Sequence, residues 1–160
     1  MKIVLLLLSV LSTALAHAQS IQPPALSARA WLLIDHVSGQ ALVEQEADAR
    51  VEPASLTKLM TAYLAFAALK QGTLKLDQAV TVSERAWKAP GSRMFIDPKR
   101  PVTVGELIQG MIIQSGNDAC VALAETIAGS EEAFAQRMNL EARRLGLANT
   151  HYVNATGLPD

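Results

Sequence analysis

The chain has one cysteine in 160 residues, Cys120, so no internal disulfide can form even in an oxidising compartment. Set in an apolar helical run, that residue reads as a small buried hydrophobe. Metal-ligating patterns are missing as well: one thiol and the well-separated His36 and His151 offer no ligand spacing, and no metal or other cofactor is expected. Neither sign of charge is in excess. Fourteen Lys and Arg against fifteen Asp and Glu give a formal charge of −1, which gives no reason to expect nucleic acid or an anionic membrane surface as partner. Internal repeats and low-complexity tracts are also absent.

Long apolar runs are lacking too, apart from "IVLLLLSVLSTALAHA" behind Met1 and Lys2, which Ser9, Ser12 and Thr13 interrupt. It is too short and too broken for a transmembrane anchor. With its positive start and the A-x-A pattern at Ala16 and Ala18, it reads as a secretory signal peptide over residues 1–18, cleaved before Gln19, which predicts export. Loss of Lys2 leaves 13 basic against 15 acidic residues, a formal charge of −2. About 140 residues remain, enough for one modest core and too few for two independent domains.

What is present reads as strands followed by helices. "ARAWLLIDHVSGQALVEQ" suggests a hairpin around Ser38 and Gly39, marginal without further strands. Pro53 suits a first helical turn, and residues 54–70 are expected to form a helix that stops at Gly72. Its apolar positions, Leu56, Leu59, Met60, Tyr63, Leu64, Ala67 and Ala68, leave few polar ones between them and predict a largely buried helix. Residues 73–101 look mixed, with a turn at Pro90 and Gly91. Thr103 and Glu106 stand in capping-box spacing at the head of a helix. "QSGND" interrupts it, a second helix runs to Gly129, and "SEEAFAQRMNLEARRLGL" supplies a third.

Two places can carry chemistry. Ser55 and Lys58 lie three apart at the head of the first helix, so they share one helical face with β-carbons within about 6 Å, and the amine can reach the hydroxyl. A serine hydroxyl needs a neighbouring base to act as a nucleophile, and a lysine serves only if partial burial lowers its pKa. The bland alternative is a capping serine beside an exposed lysine. A Ser-His-Asp hydrolase is disfavoured, because Ser55 lacks a G-x-S-x-G setting and neither histidine has supporting context. The second place is "QSGNDAC", which sets Ser115 and Asn117 in a tight break between helices. There Ser115 can pass a proton and the Asn117 amide can both donate to and accept from a peptide, although ordinary turn chemistry would use the same residues.

The words "PASLTKLMTAYL", "GSRMF" and "GMIIQSGNDACVALAE" closely resemble the low-molecular-mass penicillin-binding proteins, the serine D-alanyl-D-alanine carboxypeptidases of peptidoglycan metabolism, from about Arg29 onward. The resemblance implies an α+β fold of the β-lactamase and DD-peptidase kind, with helices packed on an antiparallel sheet. It implies Ser55 as the acylated nucleophile, Lys58 as its proton acceptor, Ser115 as proton relay to the leaving amine and Asn117 as holder of the substrate amide. It further implies stem peptides ending in D-Ala-D-Ala as substrates, β-lactams as covalent inhibitors, and a location in the bacterial periplasm. An endopeptidase of the same family and a non-catalytic exported wall-binding protein are the alternatives. A class A β-lactamase fits less well, since Gly116 stands where that class has aspartate.

The family's third motif, Lys-Thr-Gly on a later strand, is not found. "KQG" at Lys70 to Gly72 ends a helix and lacks the threonine, and "ATG" at Ala155 to Gly157 reads as a loop. The resemblance implies membrane attachment only through a C-terminal anchor, which is expected to lie outside this sequence. Residues 19–160 are therefore expected to be the N-terminal part of the catalytic domain, with later sheet strands missing and no turnover of their own.

Overall fold

The computed structural model describes residues 23–159; the expected signal peptide lies outside them. The chain divides into two compact units, one up to Arg50 and one from Val51 onward.

In the first unit, β1 (Trp31–Ile34) pairs antiparallel with β2 (Ala41–Gln45), Trp31 facing Gln45, with an irregularity between Leu33 and Ile34. The turn is organised by Asp35, whose carboxylate accepts from the Ser38 amide at 2.7 Å, the Ser38 hydroxyl at 2.7 Å and the Val37 amide at 3.2 Å. These bonds hold the carboxyl below its ordinary pKa. Gly39, at φ +72°, supplies the left-handed residue that brings the chain back.

The second unit opens with a 3-10 turn, Ala54–Thr57, leading into α1 (Lys58–Lys70). The expected helix is therefore present, but its first turn is wound tighter. Its burial differs from expectation: Met60, Thr61, Ala65 and Ala68 are buried, whereas Leu56, Leu59, Tyr63 and Phe66 are exposed. Only one stripe faces inward, and that stripe is made mostly of small side chains, which let α1 lie close to its neighbours.

β3 (Ala79–Val80) pairs antiparallel with β4 (Val102–Thr103), and between them lies the single turn α2 (Glu84–Trp87), capped by the Ser83 hydroxyl. The capping box forms as the spacing predicts: Thr103 Oγ1 accepts from the Glu106 amide, Glu106 Oε2 accepts from the Thr103 amide, and α3 (Val104–Gln114) begins there. Next come α4 (Asn117–Ala128), stopped by Gly129 at φ +86°, and α5 (Glu131–Arg144), capped by Ser130.

Helix α4 is the centre of the unit. Every residue from Asn117 to Ala124 is buried, and α1, α2, α3 and α5 all pack against it. Leu107, Leu123, Phe134, Met138 and Val104 are the largest fully enclosed apolar side chains. This helix-rich core with short antiparallel pairs is an α+β arrangement.

Candidate active site

In a 3-10 turn there are about three residues per turn, so side chains at i and i+3 stack directly above one another. The tight winding at Ala54–Thr57 therefore brings Ser55 and Lys58 together, with Nζ 3.2 Å from Oγ. Ser55 is exposed, while Lys58 is only 7% exposed, which rules out the reading of a surface lysine beside a capping serine.

The lysine has two further partners, Asn117 Oδ1 at 2.7 Å and the Thr156 carbonyl at 2.9 Å. Both are acceptors, so Lys58 donates to both. A neutral amine has two N–H bonds and one lone pair. The ammonium form donates to all three neighbours, Ser55 Oγ included; in the neutral form, with both N–H bonds on the carbonyl oxygens, the lone pair is left for the Ser55 hydroxyl. The orientation of the Asn117 amide follows from its other end, since Nδ2 donates to the Pro90 carbonyl at 2.7 Å.

Asn117 reaches this place because α3 ends on Ser115 in the left-handed conformation, φ 55° and ψ 36°, which reverses the chain into the first turn of α4. Space at Gly116 is tight: a β-carbon would lie 3.0 Å from Asp118 Oδ1 and 3.2 Å from the Met94 amide nitrogen, so its neighbours would have to give by a few tenths of an ångström. The fully buried Asp118 carboxylate accepts from the Met94, Ile96 and Ala119 amides, and the Asn117 amide donates to Ser92 O at 2.7 Å. The segment carrying "GSRMF" is thus stitched to the head of α4. Ser115 is half-buried beside this corner, but its hydroxyl makes no hydrogen bond among the described residues. Ser55, Lys58 and Asn117 are joined by hydrogen bonds; Ser115, two residues before Asn117, is not joined to them.

The stretch "NATG", read as a loop, is a loop that enters the core. Ala155 and Thr156 are buried. Asn154 Oδ1 accepts from the Thr156 and Gly157 amides and the Thr156 hydroxyl, and its Nδ2 donates to Leu158 O. Gly157 lies so close to the serine turn that a β-carbon there would stand 1.8 Å from the Ala54 carbonyl oxygen.

Burial lowers the pKa of Lys58 from the ordinary lysine value, and among the described residues no carboxylate bonds to it to repay the lost hydration. The titratable neighbour is Cys120, fully buried on α4 and pushed up to about 12 by that burial. It remains a neutral thiol and supplies no countercharge. The positive end of α4 next to Asn117 acts in the same direction, against the ammonium form. Among the described residues no group of His, Cys, Asp and Glu could hold a metal ion.

A profile of the D-alanyl-D-alanine carboxypeptidase family of serine peptidases matches residues 17–160. The chain belongs to this family. It is 47% identical over 152 residues to the D-alanyl-D-alanine carboxypeptidase DacC of Escherichia coli, covering 91% of this chain and 38% of that protein. It is 44% identical to DacF of Bacillus subtilis over 83% of this chain and 34% of the relative. Among solved structures, penicillin binding protein 5 from Haemophilus influenzae superposes with a TM-score of 0.82 at 42% identity, over 88% of this chain and 42% of that one. Penicillin-Binding Protein D2 from Listeria monocytogenes, solved in an ampicillin-bound form, gives 0.74 at 33% identity over 87% and 56%. The chain thus spans a little over a third of the length of the curated relatives named here.

Several residues at the site have no catalytic signature in the sequence: Thr156, which contributes a backbone carbonyl; Gly157 and Gly91, whose missing side chains make room; and Glu131, which bonds to the loop from a distance. The spacing of Asn154 with Gly157 is a turn signal and marks the loop, though not its burial.

Proposed function

We propose that this chain carries the acylating serine, its base and its substrate-amide contact for a D-alanyl-D-alanine carboxypeptidase acting on peptidoglycan stem peptides. The observation that carries the reading is the geometry of Lys58, a buried lysine with both N–H bonds held by carbonyl oxygens and its third direction on Ser55.

In the proposed reaction Ser55 Oγ attacks the carbonyl between the two terminal D-alanines while Lys58 takes the hydroxyl proton. The C–N bond then breaks, an ester forms on Ser55, and a proton passed through Ser115 leaves with the amine of D-alanine. Water hydrolyses the ester and restores the hydroxyl. Asn117 retains one Nδ2 hydrogen beyond the bond to Pro90 O, enough to hold the substrate carbonyl. The names of the relatives support this substrate, and the relative solved in an ampicillin-bound form supports β-lactam binding; acylation of Ser55 by the drug is part of the proposal. Export through the segment 1–18 and action in the periplasm complete the reading.

The test is D-alanine release by the full-length protein from a peptide ending in D-Ala-D-Ala, with and without prior exposure to a β-lactam. Release that the drug blocks is the expected result; cleavage confined to cross-linked peptides would transfer the assignment to an endopeptidase, and no hydrolysis at all would overturn it. The pH dependence has a definite sign. The ammonium form of Lys58 cannot accept a proton, and burial lowers its pKa. The acylation rate should therefore climb with pH and level off after an inflection below the ordinary lysine value, as measured from β-lactam acylation at a series of pH values.

A further inference from the structure

Glu131 is the first residue of α5 and is 5% exposed. A carboxylate in the first turn of a helix is ordinary, but in solvent, where it complements the dipole at no desolvation cost. Glu132 next to it is of that kind, with its side chain 64% exposed and paired to Arg85. Glu131 turns inward. One of its oxygens meets Arg85 Nη2 at 2.8 Å, and the other accepts from the amide of Ala155 at 3.0 Å.

Ala155 is fully buried, and its carbonyl is fixed too, accepting from Thr61 Oγ1 at 2.7 Å. Thr61 lies one helical turn beyond Lys58 on α1, so successive carbonyls of the loop, Ala155 and Thr156, receive successive side chains of one helix. The amide of Thr156 is bound by Asn154 Oδ1. The Ala155–Thr156 peptide unit, whose next carbonyl faces Lys58, is therefore held at both its polar atoms, and Glu131 anchors Ala155 from the preceding unit, through the Ala155 amide, as the only charged contact to it among the described residues.

We propose that Glu131 is a positioning residue for Lys58: through the Ala155 amide it fixes the Thr156 carbonyl that takes one N–H of the lysine, and so keeps the lone pair directed at Ser55. The inference rests on Lys58 being the base. Arg85 holds the carboxylate in place from α2, and Cys120 is the titratable group facing the lysine from α4.

The experiment uses the full-length protein with Glu131→Gln and Glu131→Leu. Glutamine keeps an oxygen for the Ala155 amide and gives up only the charge towards Arg85, which still has Glu132. Leucine removes the acceptor. Glu131→Leu is expected to lower the limiting rate constant of β-lactam acylation between about tenfold and a hundredfold, with the dissociation constant of the initial non-covalent complex unchanged. Glu131→Gln should stay within about threefold of the parent. Equal rate constants in parent and leucine variant, or an equal loss in both variants, would overturn the inference.

A second measurement needs no turnover. The titration of Lys58, followed by the 13Cε shift of labelled lysine, should move down by about one pH unit in Glu131→Leu, because an acceptor of the ammonium is lost, and stay in place in Glu131→Gln. Identical midpoints in all three would overturn the inference even if no form acylates, whereas shifted midpoints without acylation would overturn the proposed function and leave the positioning role standing. If the leucine variant does not fold, Thr61→Val releases the other side of Ala155, and an unchanged acylation rate and Lys58 midpoint there would equally overturn it.

Discussion

Ser55→Ala in the full-length protein should eliminate every covalent β-lactam adduct while leaving the fold in place. The hydroxyl is exposed, and its one hydrogen-bond partner among the described residues is Lys58, so no buried donor or acceptor depends on it alone. Alanine is also the best helix former, and the stability change should stay within about 0.5 kcal/mol. Lys58 keeps its bonds to Asn117 and Thr156 and its third direction opens to water. Intact-mass spectrometry after incubation with a β-lactam reads the outcome: an adduct on the parent and none on the variant. An adduct of the same mass on Ser55→Ala would move the nucleophile elsewhere and remove the basis of the proposed reaction.

Gly157→Ala should be nearly as damaging, for a reason that involves no chemistry at residue 157. Its φ of +81° is one that an alanine adopts only with strain of about 1–2 kcal/mol. The added carbon would also stand 1.8 Å from Ala54 O and 2.8 Å from Thr57 Oγ1, so either the loop or the serine turn has to move. Overpacking of that kind costs a further 1–3 kcal/mol or so. Because the displaced turn carries Ser55, the acylation rate should fall by about a hundredfold or more. Denaturant midpoint and acylation rate, measured together, check this. If both are unchanged, the close approach of loop and turn does not matter.

What was legible in the sequence was local. The capping box at Thr103 and Glu106, the stop at Gly129 and the hairpin turn are each fixed by residues a few positions apart, and the structure has them where the spacing puts them. The Ser55 and Lys58 contact was legible for the same reason, although the turn that makes it is 3-10 and not α. The exposure of Leu59 and Phe66 was not, because hydrophobic periodicity says which residues are apolar and not how many sides of a helix are covered. The acceptors of Lys58 were harder still. Asn117 lies 59 positions away, and Thr156 contributes a backbone carbonyl, a group that every residue type carries and no motif can spell.

The separation between Lys58 and Thr156 is 98 positions, and on a growing polypeptide that is an interval of time. At ordinary synthesis rates roughly 5–20 s pass between the two residues. Throughout that interval the serine and the lysine are already made, but the amine has nothing to fix its second N–H and the Ala155 clasp does not exist. A site assembled from contacts so far apart also folds late, since chain closure must precede the contacts that reward it. In the proposed reaction, Lys58 therefore has its full set of partners only after residues 154–157 have been made and have settled against α1, a delay written into the order of the residues.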